Sequence, residues 1–231
     1  YHNFIKQELI KGATPIVSSQ KSLIDLSAGR GGDLSKWKDF DEIWAVDIDG
    51  KNIGTKNSQD ENTLLGRVNK FKKRNIRYRK KKINAIVSDM SSLELQKHPS
   101  LENKKVDVIT IFFSIHYIFN DVKKIKHLFK NITKLLKPNG VCVITTFDGE
   151  KVFNRLQKSI NQDGDKKYIE KYDMEGNLIY RIQMTDKFVK KMNDKNSFPS
   201  DENSINYPID VTFETFGTQR EYLVNSHYLV N

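Results

Sequence analysis

The sequence predicts an α/β fold, with a mostly parallel central sheet covered by helices on both faces and a late antiparallel hairpin. Three observations predict it. Short apolar runs alternate with helix-period stretches through the first two thirds of the chain, the pattern of parallel strands joined by crossover helices. One run, Leu23-Ile-Asp-Leu26, leads straight into a glycine-rich turn, Ser27-Ala-Gly-Arg-Gly-Gly32. After Phe147 the alternation gives way to two short strand-like segments around a turn.

In chain order, the apolar runs place strands near 22–26, 43–47, 84–88, 106–112 and 141–147. Helices are expected between them near 33–39, 50–73, 91–96 and 121–136. The last is the clearest. Val122, Ile125, Leu128, Phe129, Ile132, Leu135 and Leu136 recur at three- and four-residue steps, and lysines cover the remaining surface. Lys137-Pro-Asn-Gly140 then stops that helix and turns the chain into the next strand. Asp148-Gly149 opens a further helix near 150–160, with Val152, Phe153, Leu156 and Ile160 on one side. Segments 168–172 and 178–182 flank Glu175-Gly-Asn177 and read as the hairpin. The polar stretch 192–203, with Pro199, suits an exposed loop, and 211–216 is a strand candidate. The first residue is not methionine, and nothing after Glu221-Tyr-Leu-Val224 reads as an element that closes a sheet. A piece of a longer protein is therefore expected.

Composition narrows the classes. The 231 residues are enough for one sizeable core, and no apolar run approaches the ~20 residues that span a bilayer. A single cysteine, Cys142 in the apolar run Val141-Cys-Val-Ile144, excludes an internal disulfide framework and a cysteine-rich zinc site, and its place favours core packing. No metal site is expected. The net charge of +10 favours polyanionic partners. Much of it lies in 67–82, which holds ten lysines and arginines and no acid, with Phe71 and Tyr78 interleaved. Lys72, Lys73, Arg77, Lys80 and Lys81 are the candidates for contact with an RNA backbone, against the alternative of a solvated basic face.

The glycine-rich turn and the acid Asp47, at the end of the second apolar run, together suit a nucleoside. Small residues let the backbone approach a ligand, and a strand-end carboxylate accepts hydrogen bonds from two ribose hydroxyls. The alternative is that the glycines only make a tight turn. Asp89 follows the third strand and either meets a ligand or caps the helix beginning at Ser91. His116 and Tyr117 follow the fourth strand, where open α/β sheets bind ligands, or else are packed core residues. Glu221, taken alone, reads as a surface glutamate.

Five segments, in order, resemble one family, the messenger RNA cap guanine-N7 methyltransferases. Asn3-Phe-Ile-Lys-Gln-Glu-Leu-Ile10 is similar to the family's N-[WF]-[IM]-K-x-x-L-I. Asp25-Leu-Ser-Ala-Gly-Arg-Gly-Gly-Asp-Leu-Ser-Lys-Trp37 is similar to D-L-G-C-G-K-G-G-D-L-x-K-W. Ser88-Asp89 stands where the adenine-contacting acid stands, Phe112-Phe-Ser-Ile-His-Tyr117 resembles [QF]-F-x-x-H-Y, and Glu221-Tyr-Leu-Val224 resembles E-[YF]-L-V. The resemblance implies a Rossmann-like class I methyltransferase fold in one domain over the whole chain, with S-adenosyl-L-methionine as cofactor and GpppN-ended RNA as substrate.

The resemblance also assigns roles. Asp25, Ser27 and Gly29 would lie beside the amino-acid end of the donor, Lys6 at its carboxylate, Asp47 at the ribose and Asp89 at the adenine. Phe112, Phe113 and Ser114 would line the methyl donor. For the cap, Glu221 would accept from N1–H and the 2-amino group of guanine, and His116 and Tyr117 would stack on or donate to the ring. Asn3 would donate to cap or cofactor, and Phe113 would wall the pocket. Guanine N7 carries no proton and the sulfonium is a good leaving group, so no acid–base residue is required and proximity and electrostatics would carry the rate. Two departures stand out. Ser27 and Ala28 replace glycine and cysteine, and Phe147-Asp148 replaces a proline–asparagine pair. The spelling is nearest to members from large cytoplasmic DNA viruses. That implies a cytoplasmic setting and triphosphatase and guanylyltransferase domains earlier in the same polypeptide. The alternatives are a different S-adenosylmethionine-dependent methyltransferase and a non-catalytic RNA-binding module on the same scaffold.

Overall fold

The computed structural model describes residues 2–15, 20–193, 195, 197–214 and 217–230. The chain divides into two compact units, Tyr1–Phe112 with Lys126–Thr145 and Phe113–Ile125 with Thr146–Asn231.

The first unit is built on a five-stranded parallel sheet. Its strands are β1 (Ser22–Asp25), β2 (Glu42–Asp47), β3 (Lys82–Val87), β4 (Val106–Phe112) and β5 (Leu136–Thr145), in the order β3-β2-β1-β4-β5. β1 and β2 are buried almost throughout and β4 nearly so, which is why their sequences are unbroken apolar runs rather than alternating ones. The chain leaves β1 toward β2 on one side and later returns to β4 on the other. This reversal opens a crevice beyond the carboxyl ends of the strands, and ligands bind such crevices in open α/β sheets. Trp37, Phe40, Leu23 and Ile43 fill the core beneath it.

The helices of this unit are α1 (His2–Ala13), α2 (Gly50–Ile53), α3 (Leu64–Arg74), α4 (Ile76–Arg79) and the larger part of α5 (Val122–Leu135). α5 buries Ile125, Leu128, Ile132 and Leu135, all on the expected stripe. The single helix expected near 50–73 is broken. Gly54 has φ +76°, and Thr63 caps a new helix by accepting the Gly66 N–H. At Gly66 a Cβ would lie 1.9 Å from the Asp60 carbonyl oxygen, so the intervening turn packs directly on helix backbone. The short helices expected near 33–39 and 91–96 are 3-10 turns, Leu34–Asp39 and Leu93–Lys97. β5 begins earlier than expected. Its register jumps from Val106↔Leu136 to Val108↔Val141, and the Pro-Asn-Gly turn bulges out between them with Asn139 at φ +64°. The Cys142 thiol is pushed up to about 12 by burial and stays protonated, as a packing residue should.

The second unit carries a five-stranded antiparallel sheet where the sequence promised a hairpin. The hairpin itself is β7 (Lys166–Tyr172) and β8 (Leu178–Met184), and β6 (Gln162–Asp163), β9 (Pro208–Phe213) and β10 (Gly217–Tyr222) complete the order β10-β9-β8-β7-β6. The strand expected over 211–216 is β9, with Thr215 and Phe216 outside the described residues, as are positions 194 and 196 of the expected loop. Helices α6 (Gly149–Lys158), α7 (Asp186–Asn193) and α8 (Ser226–Val230) complete the unit. α6 starts against the chain that leaves β10. The Gly149 N–H donates to the Val224 carbonyl at 3.1 Å, and a Cβ on Gly149 would sit 2.4 Å from that oxygen. Phe153, Phe188, Phe198 and Tyr207 form the core, with ring centroids 5.4–5.8 Å apart. No helix among the described residues is long and apolar enough to cross a membrane.

Phe153 touches each of the other three rings and is fully buried. Phe153→Ala should cost about 3–5 kcal/mol, seen as a lower urea midpoint. An unchanged midpoint would show that this cluster does not hold the second unit together.

Candidate active site

The carboxyl ends of the first unit's strands gather most of the donor-side candidates. Asp47 closes β2 and holds the turn after β1. Its Oδ2 accepts the Gly29 N–H at 2.8 Å, and its Oδ1 accepts from the Asp49 N–H at 2.9 Å and Asn52 Nδ2 at 3.2 Å. Gly29 reaches this position with φ +51°, and Gly31 with φ +76° lies where a Cβ would come 2.8 Å from Leu64 Cδ1. The glycines therefore serve the turn itself as well as leaving open space, since nothing lies within 4 Å of a Cβ at Gly29. Ser27 does not take positive φ. Its Oγ accepts the Phe112 N–H at 3.2 Å, tying the turn to the end of β4.

Asp25 is 1% exposed. Its Oδ1 accepts the Ser27 N–H at 3.1 Å, while Oδ2 is buried without a hydrogen-bond partner. Burial, and then the charge of Asp33, push its pKa up to about 7. Asp33 is the centre of a network that the sequence reading missed. Its carboxylate takes Lys6 Nζ and Lys36 Nζ, each at 2.8 Å, and Lys36 Nζ also donates to Asn3 Oδ1 at 3.2 Å. Lys6 Nζ lies 5.2 Å from the centroid of the Phe112 ring. The signal for Lys36 was the i,i+3 spacing Asp33…Lys36, which places the two side chains together on a helical turn. Lys6 and Asn3 thus meet this internal network first. Asp89 follows its capping reading at one oxygen, where Oδ1 accepts from Ser91 N–H and Oγ, both at 2.7 Å.

The second unit gathers the remaining candidates around the 3-10 turn Ile115–Tyr117. Phe113, just before it, is a non-glycine residue at φ +51°, and Ser114 Oγ is buried without a partner. His116 is 4% exposed, and neither ring nitrogen has a hydrogen-bond partner. It is therefore not the satisfied core histidine of the bland reading. Its ring packs on Tyr117 at 4.2 Å and on Phe147 at 5.5 Å, and its Nε2 lies 3.7 Å from Glu221 Oε2, too far for a hydrogen bond. Tyr117 Oη donates to Gln219 Oε1 at 2.9 Å. Gln219 and Glu221 are two apart on β10 and so share a face.

Glu221 is 9% exposed, not a surface residue. Burial pushes its pKa up to about 7 and pushes that of His116 down to about 4. Each buried polar group left unpaired costs about 1–3 kcal/mol. Ser114, His116, Asn120 and Thr146 all contribute such atoms. A cluster of this kind is what a polar ligand would satisfy.

The basic run needs correction. Lys81 is 8% exposed, and its Nζ donates to the carbonyls of Lys38 and Phe40, so it is unavailable to RNA. Tyr78 is buried with its Oη on the Leu34 carbonyl, and Phe71 packs edge-on against it at 5.3 Å, so neither ring is a stacking platform. Lys73, Arg77 and Lys80 are exposed and Lys72 is half-buried.

Likeness to known proteins, in sequence and in structure, points one way. Residues 1–222 match the model of the mRNA (guanine-N(7))-methyltransferase domain. An mRNA cap guanine-N(7) methyltransferase of Caenorhabditis elegans is 29% identical over 165 residues, covering 69% of this chain and 41% of that protein. An mRNA-capping enzyme of African swine fever virus is 28% identical over 167 residues, covering 68% of this chain and 18% of that protein. The chain thus spans less than half the length of either relative. A crystal structure of an S-adenosylmethionine-dependent methyltransferase from Clostridium acetobutylicum covers 98% of this chain and is itself covered over 74%, at 18% identity and a TM-score of 0.50, which shows the fold.

Glu221 binds its proton more tightly in the folded chain than in the unfolded one. Its ionisation therefore erodes stability as the pH rises from 4.5 to about 7, and no further above that. Glu221→Gln should gain roughly 2–3 kcal/mol relative to the parent across that window, measured by urea unfolding. His116 contributes the opposite slope, lost as the pH falls from 6.5 toward about 4. A difference that ignores pH would contradict the burial of this carboxyl.

Proposed function

We propose that this chain, which belongs to the mRNA (guanine-N(7))-methyltransferase domain family, methylates N7 of the terminal guanine of GpppN-ended RNA with S-adenosyl-L-methionine as donor. The observation that supports it most is the buried Glu221 carboxyl beside an unpartnered His116. N1–H and the 2-amino group of guanine are two donors that a carboxylate accepts together, and adenine offers no such pair.

The donor fits the first unit's residues. The orphaned Asp25 Oδ2, in a carboxyl held near neutrality, suits the ammonium of an amino acid, and a charged partner there would pull its pKa back down. Asp47 already fixes the turn, with two donors on Oδ1 and one on Oδ2, and Oδ2 retains a lone pair for a ribose hydroxyl. Lys6, Ser27, Gly29, Asp89 and Phe112 complete the donor set in this unit. The donor, when bound, supplies a methyl group on a sulfonium centre that is already a good leaving group.

The protein's own work is binding and orientation. Guanine N7 has no proton to lose, so His116 need not act as a base, and its lowered pKa keeps it a neutral hydrogen-bonding and stacking group. Glu221 in its ionised form offsets the positive charge that methylation leaves on the ring. Tyr117 and Phe113 contribute walls, and Asn3 contributes a donor. Lys72, Lys73, Arg77 and Lys80 take the RNA backbone.

The protein is further proposed to work in the cytoplasm, on transcripts prepared by triphosphatase and guanylyltransferase domains of the same polypeptide. The likeness to part of a viral mRNA-capping enzyme supports this.

The direct test is incubation with methyl-labelled donor and GpppA-ended RNA, followed by nuclease digestion. The label should appear in 7-methylguanosine, and label in any other nucleoside would refute the reading. Asp47→Ala should weaken donor binding by about 10–150-fold in calorimetry. Glu221→Ala should leave donor affinity intact and reduce cap methylation by about 100-fold or more. Near-normal turnover would remove its guanine role.

A further inference from the structure

The second unit has a cavity of about 450 Å³ between α6 and the β7–β8 pair, away from the residues gathered around the turn Ile115–Tyr117. Its helical wall is Lys151, Asn154, Arg155 and Lys158, whose spacing of three and four puts them on one face of α6. Its floor is Ile169 and Tyr180. Ile169 faces the core side of the sheet opposite Ile182, and Tyr180 lies one step further along that same face of β8. Glu170 is the one acid among the lining residues, and it stands in register opposite Arg181 of β8. Lys151 is held by Asp148 at 3.0 Å, whereas Arg155 and Lys158 make no ion pair among the described residues.

We propose that this cavity takes one nucleotide of the transcript downstream of the cap. Arg155 and Lys158 would meet the flanking phosphates, and the base would lie against Tyr180. The inference rests on RNA being the substrate. Three cations against the single acid Glu170, two of them without an ion-pair partner, suit a phosphodiester, and an aromatic floor beside an apolar residue suits a base of any identity. The volume lies within the roughly 300–1,000 Å³ of pockets that hold small ligands. The cavity thus adds a contact that depends on RNA length and not on the cap.

The test compares a capped 12-nucleotide RNA with the GpppA dinucleotide, using fluorescence anisotropy for binding and label transfer for turnover. The double substitution Arg155→Glu with Lys158→Glu should weaken RNA binding at least tenfold. It should reduce the slope of log affinity against log salt by about 0.7 for each phosphate lost, with GpppA turnover unchanged. Tyr180→Ala should weaken the intact RNA several-fold and leave an RNA abasic at the downstream positions unaffected. A salt slope equal to the parent's would overturn the proposal, and would leave an acidic protein segment as the occupant to consider. A parallel loss on GpppA would also overturn it, because the damage would then lie in the reaction and not in RNA length. Failure of the parent to methylate the capped 12-nucleotide RNA at all would instead refute the proposed function, and with it the premise used here.

Discussion

The bond from the Gly29 amide to the Asp47 carboxylate is the constraint on which the first unit's crevice depends. It joins the turn after β1 to the end of β2, and it works only because Gly29 has no side chain at its positive φ. Ser27 makes the matching tie from the same turn to β4. The mouth of the sheet is therefore cross-linked on both sides of β1, where the strand order reverses. A carboxylate whose two oxygens are both held by protein donors is already oriented before any ligand arrives. That is the condition under which binding avoids an ordering cost.

Polar atoms are matched unequally across the molecule. Asp33 takes two lysines, one of them the donor-side Lys6, and Asp107 takes Ser22 and Lys137, so these charges are compensated. Asp25, His116 and Glu221 are not compensated, and their pKa values move toward the neutral form as a result. These three candidates are left wanting, whereas the candidates Asp47 and Tyr117 already have protein partners. Phe113 adds backbone strain at the same turn as His116, of about 1–3 kcal/mol.

What the sequence made legible was what local pattern controls. β1, β2 and β4 are buried on both faces and so spell uninterrupted apolar runs, and α5 shows its stripe because one face alone is buried. α1 escaped reading because Ile10 is its only fully buried residue, and β10 because most of its residues are exposed. Lys81 and Glu221 were misplaced for a related reason. Each is buried by residues distant in sequence, Lys38 and Phe40 in one case and the turn at His116 in the other, and composition carries no trace of such encounters. The Glu221 motif had to be recognised by its resemblance, because physics applied to the neighbourhood Arg220-Glu221-Tyr222 would have left it in solvent.

The contact between Gly149 and the Val224 carbonyl has a consequence for how such a protein can vary. The last turn of chain after β10 is seated on the first residue of α6 with no room for a methyl group, and β10 carries Glu221 only three residues upstream. Any side chain at Gly149 would have to push the chain after β10 off the start of α6. Drift at this position is thus closed off by backbone on the far side of the sheet's last strand, and not by any neighbour in sequence.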